Sequence, residues 1–371
     1  MNKRYFEGLN ALRFFAAALV VLFHVHINQA KFDLPMLPDL AILFKGREAV
    51  LFFFTLSGFL ITYLLLGERT KTGDISISKF YMRRVLRIWP LYYIIVIFGL
   101  FFYFFLLPQL GIAYSGMNFD LGIGVLCYTL FLPNLIYGLY HVGGIIGITW
   151  SIGVEEQYYL FWAPLVRRFF HRMLPLLIVM FVITTLLQVA NAFNLFGLSE
   201  GMQKFVSTLQ FNYMAVGGLF AYAYFYHRER LLGLPVFSNQ LIQALLLVGL
   251  VAFFFFYHHG VPPVVITLLL PFAFGWLILN VSANESRRLI KLTHPVLDWL
   301  GKISYGIYMY HYIFVYLTSF LFTKFGVLTE HVVLFHVLYH LMVWSLTLGT
   351  AHFSFYHVES RILKLKHRFD V

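Results

Sequence analysis

The chain has 371 residues, of which 60% are hydrophobic and only 12% charged, about half the charged fraction of a soluble globular domain. That excludes a water-soluble fold, and an aromatic share of 20% suits lipid-facing helices with interfacial belts. The net charge of +11 does not mark a nucleic-acid binder, because Lys and Arg sit in short loops between apolar runs, and a single cysteine excludes an intrachain disulfide.

Runs of ~20 apolar residues, the length that crosses the hydrocarbon of a bilayer, are predicted at 11–29, 48–66, 88–107, 150–166, 173–191, 211–227, 240–257, 263–281, 303–323 and 331–357. Lys3 and Arg4 ahead of the first run resemble a signal peptide, but Arg13 inside it and apolar continuation to Ile27 predict an uncleaved signal anchor. The apolar stretch 121–138 is resolved by charge. If it does not span and the N-terminus is cytoplasmic, only Lys31, Lys45, Arg47, Lys204 and Lys324 fall outside, with Arg13 in a span. The rest of the 27 Lys and Arg residues lie inside, as positive-inside bias requires. If it spans, Arg167, Arg168, Arg172 and every later basic cluster move outside. The expectation is an all-α polytopic membrane protein of about ten transmembrane helices, both termini cytoplasmic. Residues 121–138 form a re-entrant or interfacial segment, tolerable where buried against protein. No internal repeat, low-complexity tract or long linker occurs. One membrane domain over 1–371, without an appended soluble domain, is expected.

Ionisable groups inside apolar spans are costly and are functional candidates. In the first span Arg13 and His24 are eleven residues apart, which puts them on one helix face ~16 Å apart along the axis. Together they could hold two ends of one extended ligand. The bland alternative is a snorkelling arginine and a hydrogen-bonded core histidine. His26 lies off that face and is expected at the interface. In the second span Ser57 and Gly58 read as packing residues. Ahead of the third, Arg83, Arg84 and Arg87 offer guanidinium forks for the phosphates of a cytoplasmic nucleotide cofactor; ordinary anchoring explains them too. Next comes Trp150-Ser151-Ile152-Gly153-Val154-Glu155-Glu156-Gln157-Tyr158-Tyr159. Helical spacing places Ser151, Glu155 and either Tyr158 or Tyr159 on one side. Two carboxylates at the outer mouth of a span suit holding acceptor hydroxyls or assisting proton transfer, against an ion pair with Arg13 or Arg47. His311 lines a site or bonds within the core. His336 and His340, at i and i+4, are a weak metal signal without a third ligand, and no metal is expected. No nucleophile elbow, phosphate loop or dinucleotide fingerprint occurs.

In this order the motifs resemble the acyltransferase-3 family of bacterial membrane O-acyltransferases over nearly the whole chain. They comprise Arg13 with His24, Phe54 to Ile61, Arg84-x-x-Arg87-Ile88-x-Pro90, Trp150 to Tyr159, Ile303 to His311 and Tyr356 to Glu359. Departures are Ile152-Gly153 after Ser151 and Tyr158 for the common Phe, neither at a charged position. The resemblance implies ten core helices, an acyl-CoA donor (most often acetyl-CoA) from the cytoplasm, and a sugar, glycan or lipid-linked acceptor outside or within the membrane. Some family proteins carry an extracytoplasmic hydrolase-like domain; this chain is expected to complete transfer itself or to use a separate extracytoplasmic partner, and a homo-oligomer is the other assembly expected.

The resulting expectation is an O-acyltransferase of the bacterial inner membrane. Arg83, Arg84 and Arg87, with Arg13, bind the donor; His24 is general base or acyl carrier; Arg13, Glu155 and Glu156 complete the catalytic set. Trp150, Ser151, Tyr158 and His311 are the expected substrate-binding residues. The rival reading is a transporter or flippase for a glycan or small anion, against which the missing inverted repeats count. A receptor or scaffold would tolerate neutralisation of His24 and Glu155.

Overall fold

A computed structural model describes residues 6–38, 40–110, 117–257, 263–284, 287–327 and 331–369. Lys3 and Arg4, on which the signal-anchor expectation partly stands, lie outside these. Among the described residues the fold is helical, with no strand. Helix is the form that satisfies every backbone group of an apolar span within the span itself.

Among the described residues six helices are long and apolar enough to cross a membrane: Leu9–Lys31, Gly46–Thr72, Ile77–Gln109, Phe170–Ala192, Val264–Ser282 and Val332–Lys364. They coincide with six of the ten expected spans. The other four expected positions are also helical, as Trp150–Arg168, Phe211–Gly233, Gln240–Phe256 and Ser304–Phe325, but are not long and apolar enough by the same measure. Trp150–Arg168 carries four charged side chains, Gln240–Phe256 is 17 residues long, and the remaining two are rich in tyrosine.

Local chemistry sets several boundaries. Ser76 caps the Ile77–Phe101 helix by accepting from the Lys79 amide. Pro90 lies within that helix, which continues through a π-turn at Phe102–Leu106. The 121–138 stretch is a pair of short helices, Leu121–Thr129 and Pro133–Leu139, each too short to span. Asp120 caps the first through the Gly122 and Ile123 amides, Phe131 turns the chain at φ 55°, and Pro133 opens the second.

Packing divides the chain into two compact units. The first comprises Met1–Phe53, His227–Gly260 and Ala273–His357. Its core lies among the Leu9–Lys31, Ser304–Phe325 and Val332–Ser354 helices, where Ala17, Val21, Val25, Ile307, Val315 and Tyr339 are buried together. The second comprises Phe54–Tyr226, Val261–Phe272 and Val358–Val371. Here Gly58 and Gly217 let two helices touch backbone to backbone. A Cβ on Gly58 would run into the Met214 carbonyl, and one on Gly217 into the Thr55 carbonyl. Packing, as expected, explains Gly58. The break after Leu268 frees carbonyls that Asn212 and Tyr213 satisfy, by donating to Thr267 O and Ile266 O.

Candidate active site

In the first unit the Leu9–Lys31 helix carries both Arg13 and His24. Arg13 is half-buried and donates to Asn10 Oδ1 at 3.0 Å; Asn10 in turn donates to Asp298, which pairs with Lys302. Arg13 is thus held in a polar network at one end of its helix. His24 sits three turns on. Its Nδ1 lies 3.0 Å from Val20 O, one turn back on its own helix, and 3.0 Å from Nε2 of His311. His311 is fully buried in the Ser304–Phe325 helix, and its Nδ1 lies 2.6 Å from Tyr308 O. The Tyr312 ring stands edge-on to His24 at 5.1 Å, completing an aromatic wall. His24 itself stays half-buried, with Nε2 free of protein hydrogen bonds among the described residues. His26 is buried against the Phe44 ring, away from that pair. It lines a cleft of about 490 Å³ with Ile27, Ala30, Lys31, Met36 and Phe44.

In the second unit the two carboxylates take separate partners. Glu155 accepts from Ser57 at 3.1 Å and from the Tyr159 hydroxyl at 2.8 Å, whereas Glu156 accepts from Trp89 Nε1 at 3.0 Å. Ser57, expected to serve packing, therefore holds a carboxylate. Tyr159, not Tyr158, is the tyrosine on Glu155. Tyr158 is fully buried and stacks on Trp162. Trp150 stacks on Tyr137, and Ser151 is buried with its hydroxyl on Ile148 O at 3.5 Å.

The three arginines diverge. Arg83 forms an ion pair with Glu68 at 2.7 Å and donates to Phe369 O. Arg84 points inward, its guanidinium over the Phe80 and Tyr159 rings at 5.8 and 5.9 Å. Among the described residues Arg84 Nε is buried without a hydrogen-bond partner, as is Glu156 Oε1. Arg87 is exposed.

These contacts correct one expectation. Charge bias placed the carboxylates and the arginines at opposite membrane faces, yet Glu155 and Arg84 share Tyr159. The Trp150–Arg168 helix runs antiparallel to Ile77–Phe101, with Glu156 against Trp89 and the Leu160 carbonyl against Tyr81. The preceding short helices pack along the far end of the long helix, where Tyr93 reaches Thr129 O and Tyr103 reaches the Ile145 amide. Glu155 and Glu156 are thereby set near its arginine-bearing end. The His336 and His340 rings lie 6.3 Å apart and tilted, and among the described residues no three His, Cys, Asp or Glu come together.

A histidine with one nitrogen anchored and the other open can take a proton from a hydroxyl, and buried arginine and carboxylate groups can orient a polar substrate. Comparison with known proteins agrees in direction. The peptidoglycan O-acetyltransferase OatA of Listeria monocytogenes is 25% identical over 162 residues, 43% of this chain and 24% of that protein. The O-acetyltransferase OatA of Staphylococcus aureus is 27% identical over 174 residues, 47% of this chain and 27% of that protein. The chain thus spans about a quarter of the length of these curated relatives. No solved structure matches it. A family model described as an acyltransferase domain, Acyl_transf_3, matches residues 6–358, most of each compact unit, and the chain belongs to that family.

Proposed function

We propose that this protein is a multi-pass O-acyltransferase of the bacterial inner membrane. It moves an acyl group, acetyl first, from cytoplasmic acyl-CoA to a hydroxyl of a cell-surface or lipid-linked glycan. Family membership supports acyl transfer, both OatA relatives support acetyl as the acyl group, and the Listeria relative, a peptidoglycan O-acetyltransferase, supports a peptidoglycan-like acceptor. The observation that carries the reading is His24, anchored at Nδ1 and open at Nε2 on a membrane helix.

In this reaction the acceptor hydroxyl gives its proton to His24 Nε2 as its oxygen bonds the acyl carbon. The carbon–sulfur bond breaks with its electron pair on sulfur, and the thiolate recovers the proton from His24. Arg84 and Arg87 bind donor phosphates, and Glu155 and Glu156 orient the acceptor. Arg83, already paired with Glu68, braces this segment. Ten spans with both termini cytoplasmic, enclosing one acyltransferase domain, fit the placement of the basic residues.

The donor assignment is tested by thermal stability of the purified protein with CoA. Ligand at about 100 times its dissociation constant stabilises by ~2.7 kcal/mol. The wild type shows this rise, and the folded Arg84→Ala/Arg87→Ala variant does not. A wild type unmoved by CoA contradicts the assignment.

A further inference from the structure

We infer that His311 is a positioning residue that, together with the Val20 carbonyl, holds the ring of His24 in the tautomer whose base is Nε2 and not Nδ1. The inference deepens the acyl-transfer reading and rests on it. It follows from hydrogen-bond polarity. Each histidine has its Nδ1 on a backbone carbonyl, Val20 O for His24 and Tyr308 O for His311. A carbonyl oxygen only accepts, so both Nδ1 atoms carry hydrogen when the rings are neutral. His311 Nε2 is then a lone pair, and the 3.0 Å contact runs from His24 Nδ1–H to His311 Nε2. The opposite tautomer would set a His24 lone pair against the Val20 carbonyl oxygen.

Two consequences follow. His24 Nε2 is left as the unprotonated nitrogen, with no hydrogen-bond partner among the described residues. When Nε2 takes a proton, the imidazolium gains a stronger bond to His311 Nε2, because charge-assisted hydrogen bonds are the stronger kind. His311 is suited to this acceptor role by its setting. It is fully buried, and the carbonyl one turn back on its own helix holds its ring. Val20 O alone would keep His24 Nδ1 protonated but does not link it to a second helix. His311 supplies that link and fixes the ring plane.

The test pairs kinetics with spectroscopy. His311→Gln keeps an acceptor at the end of the side chain, whereas His311→Met fills the space without a comparable one. His311→Met is expected to lose roughly 10–100-fold in kcat with KM for acetyl-CoA unchanged, and His311→Gln to recover most of that loss. A folded His311→Met with wild-type kcat overturns the inference, and so does His311→Gln as impaired as His311→Met. Nitrogen-15 histidine spectra of the wild-type protein, with the His24 signals assigned by their loss in His24→Ala, are expected to show Nδ1 protonated and Nε2 bare. This measurement needs no His311 variant, and a protonated Nε2 in the neutral ring overturns the assignment. Full activity in His24→Ala would instead end the base reading itself, separating that failure from failure of the His311 role.

Discussion

Arg83, Arg84 and Arg87 are near neighbours in sequence and meet three different environments. Arg83 is spent on Glu68, both side chains being largely buried. Removing one partner of a buried pair leaves an uncompensated charge, at a cost of about 3–5 kcal/mol. Arg83→Ala is therefore expected to lower thermal stability sharply, while exposed Arg87→Ala stays within about 0.5 kcal/mol of wild type. Unfolding curves of the two variants decide it, and equal stabilities would contradict the assignment. A second residue-scale device is the clamp in which Asp74 receives Arg167 and Arg69. The Ile75 amide first, and Arg167 next, hold the Asp74 carboxyl below its ordinary value. The clamp thus contributes at pH above ~4, the unfolded value, and is lost as pH falls through the lower folded one. The stability difference between wild type and Asp74→Asn should shrink in that acid range; a difference that grows there would reverse the sign. Spacing within one helix was enough to put Arg13 and His24 on a shared face. His311 was legible as a candidate residue but its pairing with His24 was not, because a contact 287 residues away leaves no trace in local periodicity. Ser57 was misread for the same reason, since a small hydroxyl in a span looks alike whether it packs or binds.

At the scale of elements, apolar run length located each of the ten expected helical positions, but not their depth. The Trp150–Arg168 helix shows why. Its depth is set by the short helices before it, and those depend on Asp120, Phe131 and Pro133 acting as cap, turn and restart. Close approach of the Gly46–Thr72 and Phe211–Gly233 helices is equally specific. Gly58→Ala and Gly217→Ala each drive a methyl group into a backbone carbonyl and are expected to cost about 1–3 kcal/mol. Gly249, in the middle of the Gln240–Phe256 helix with open space around it, is the control. Gly249→Ala should be neutral or gain up to ~1 kcal/mol from helix propensity. Thermal unfolding of the three variants in one detergent distinguishes packing from propensity. Losses at all three would contradict the close-contact explanation.

For the whole molecule, composition made the membrane class legible at once. Six apolar helices agree with an integral membrane protein, and the family match over 6–358 agrees with the ordered motif set. The family was legible through that motif order, whereas the contact of His24 with His311 required the fold. The decisive measurement is mass spectrometry of cell-surface glycans from cells lacking the protein, carrying it, or carrying His24→Ala. Glycans bearing an added acyl group only with the wild-type protein are the predicted result. Identical glycans in all three, or the same acylated product with His24→Ala, would contradict it.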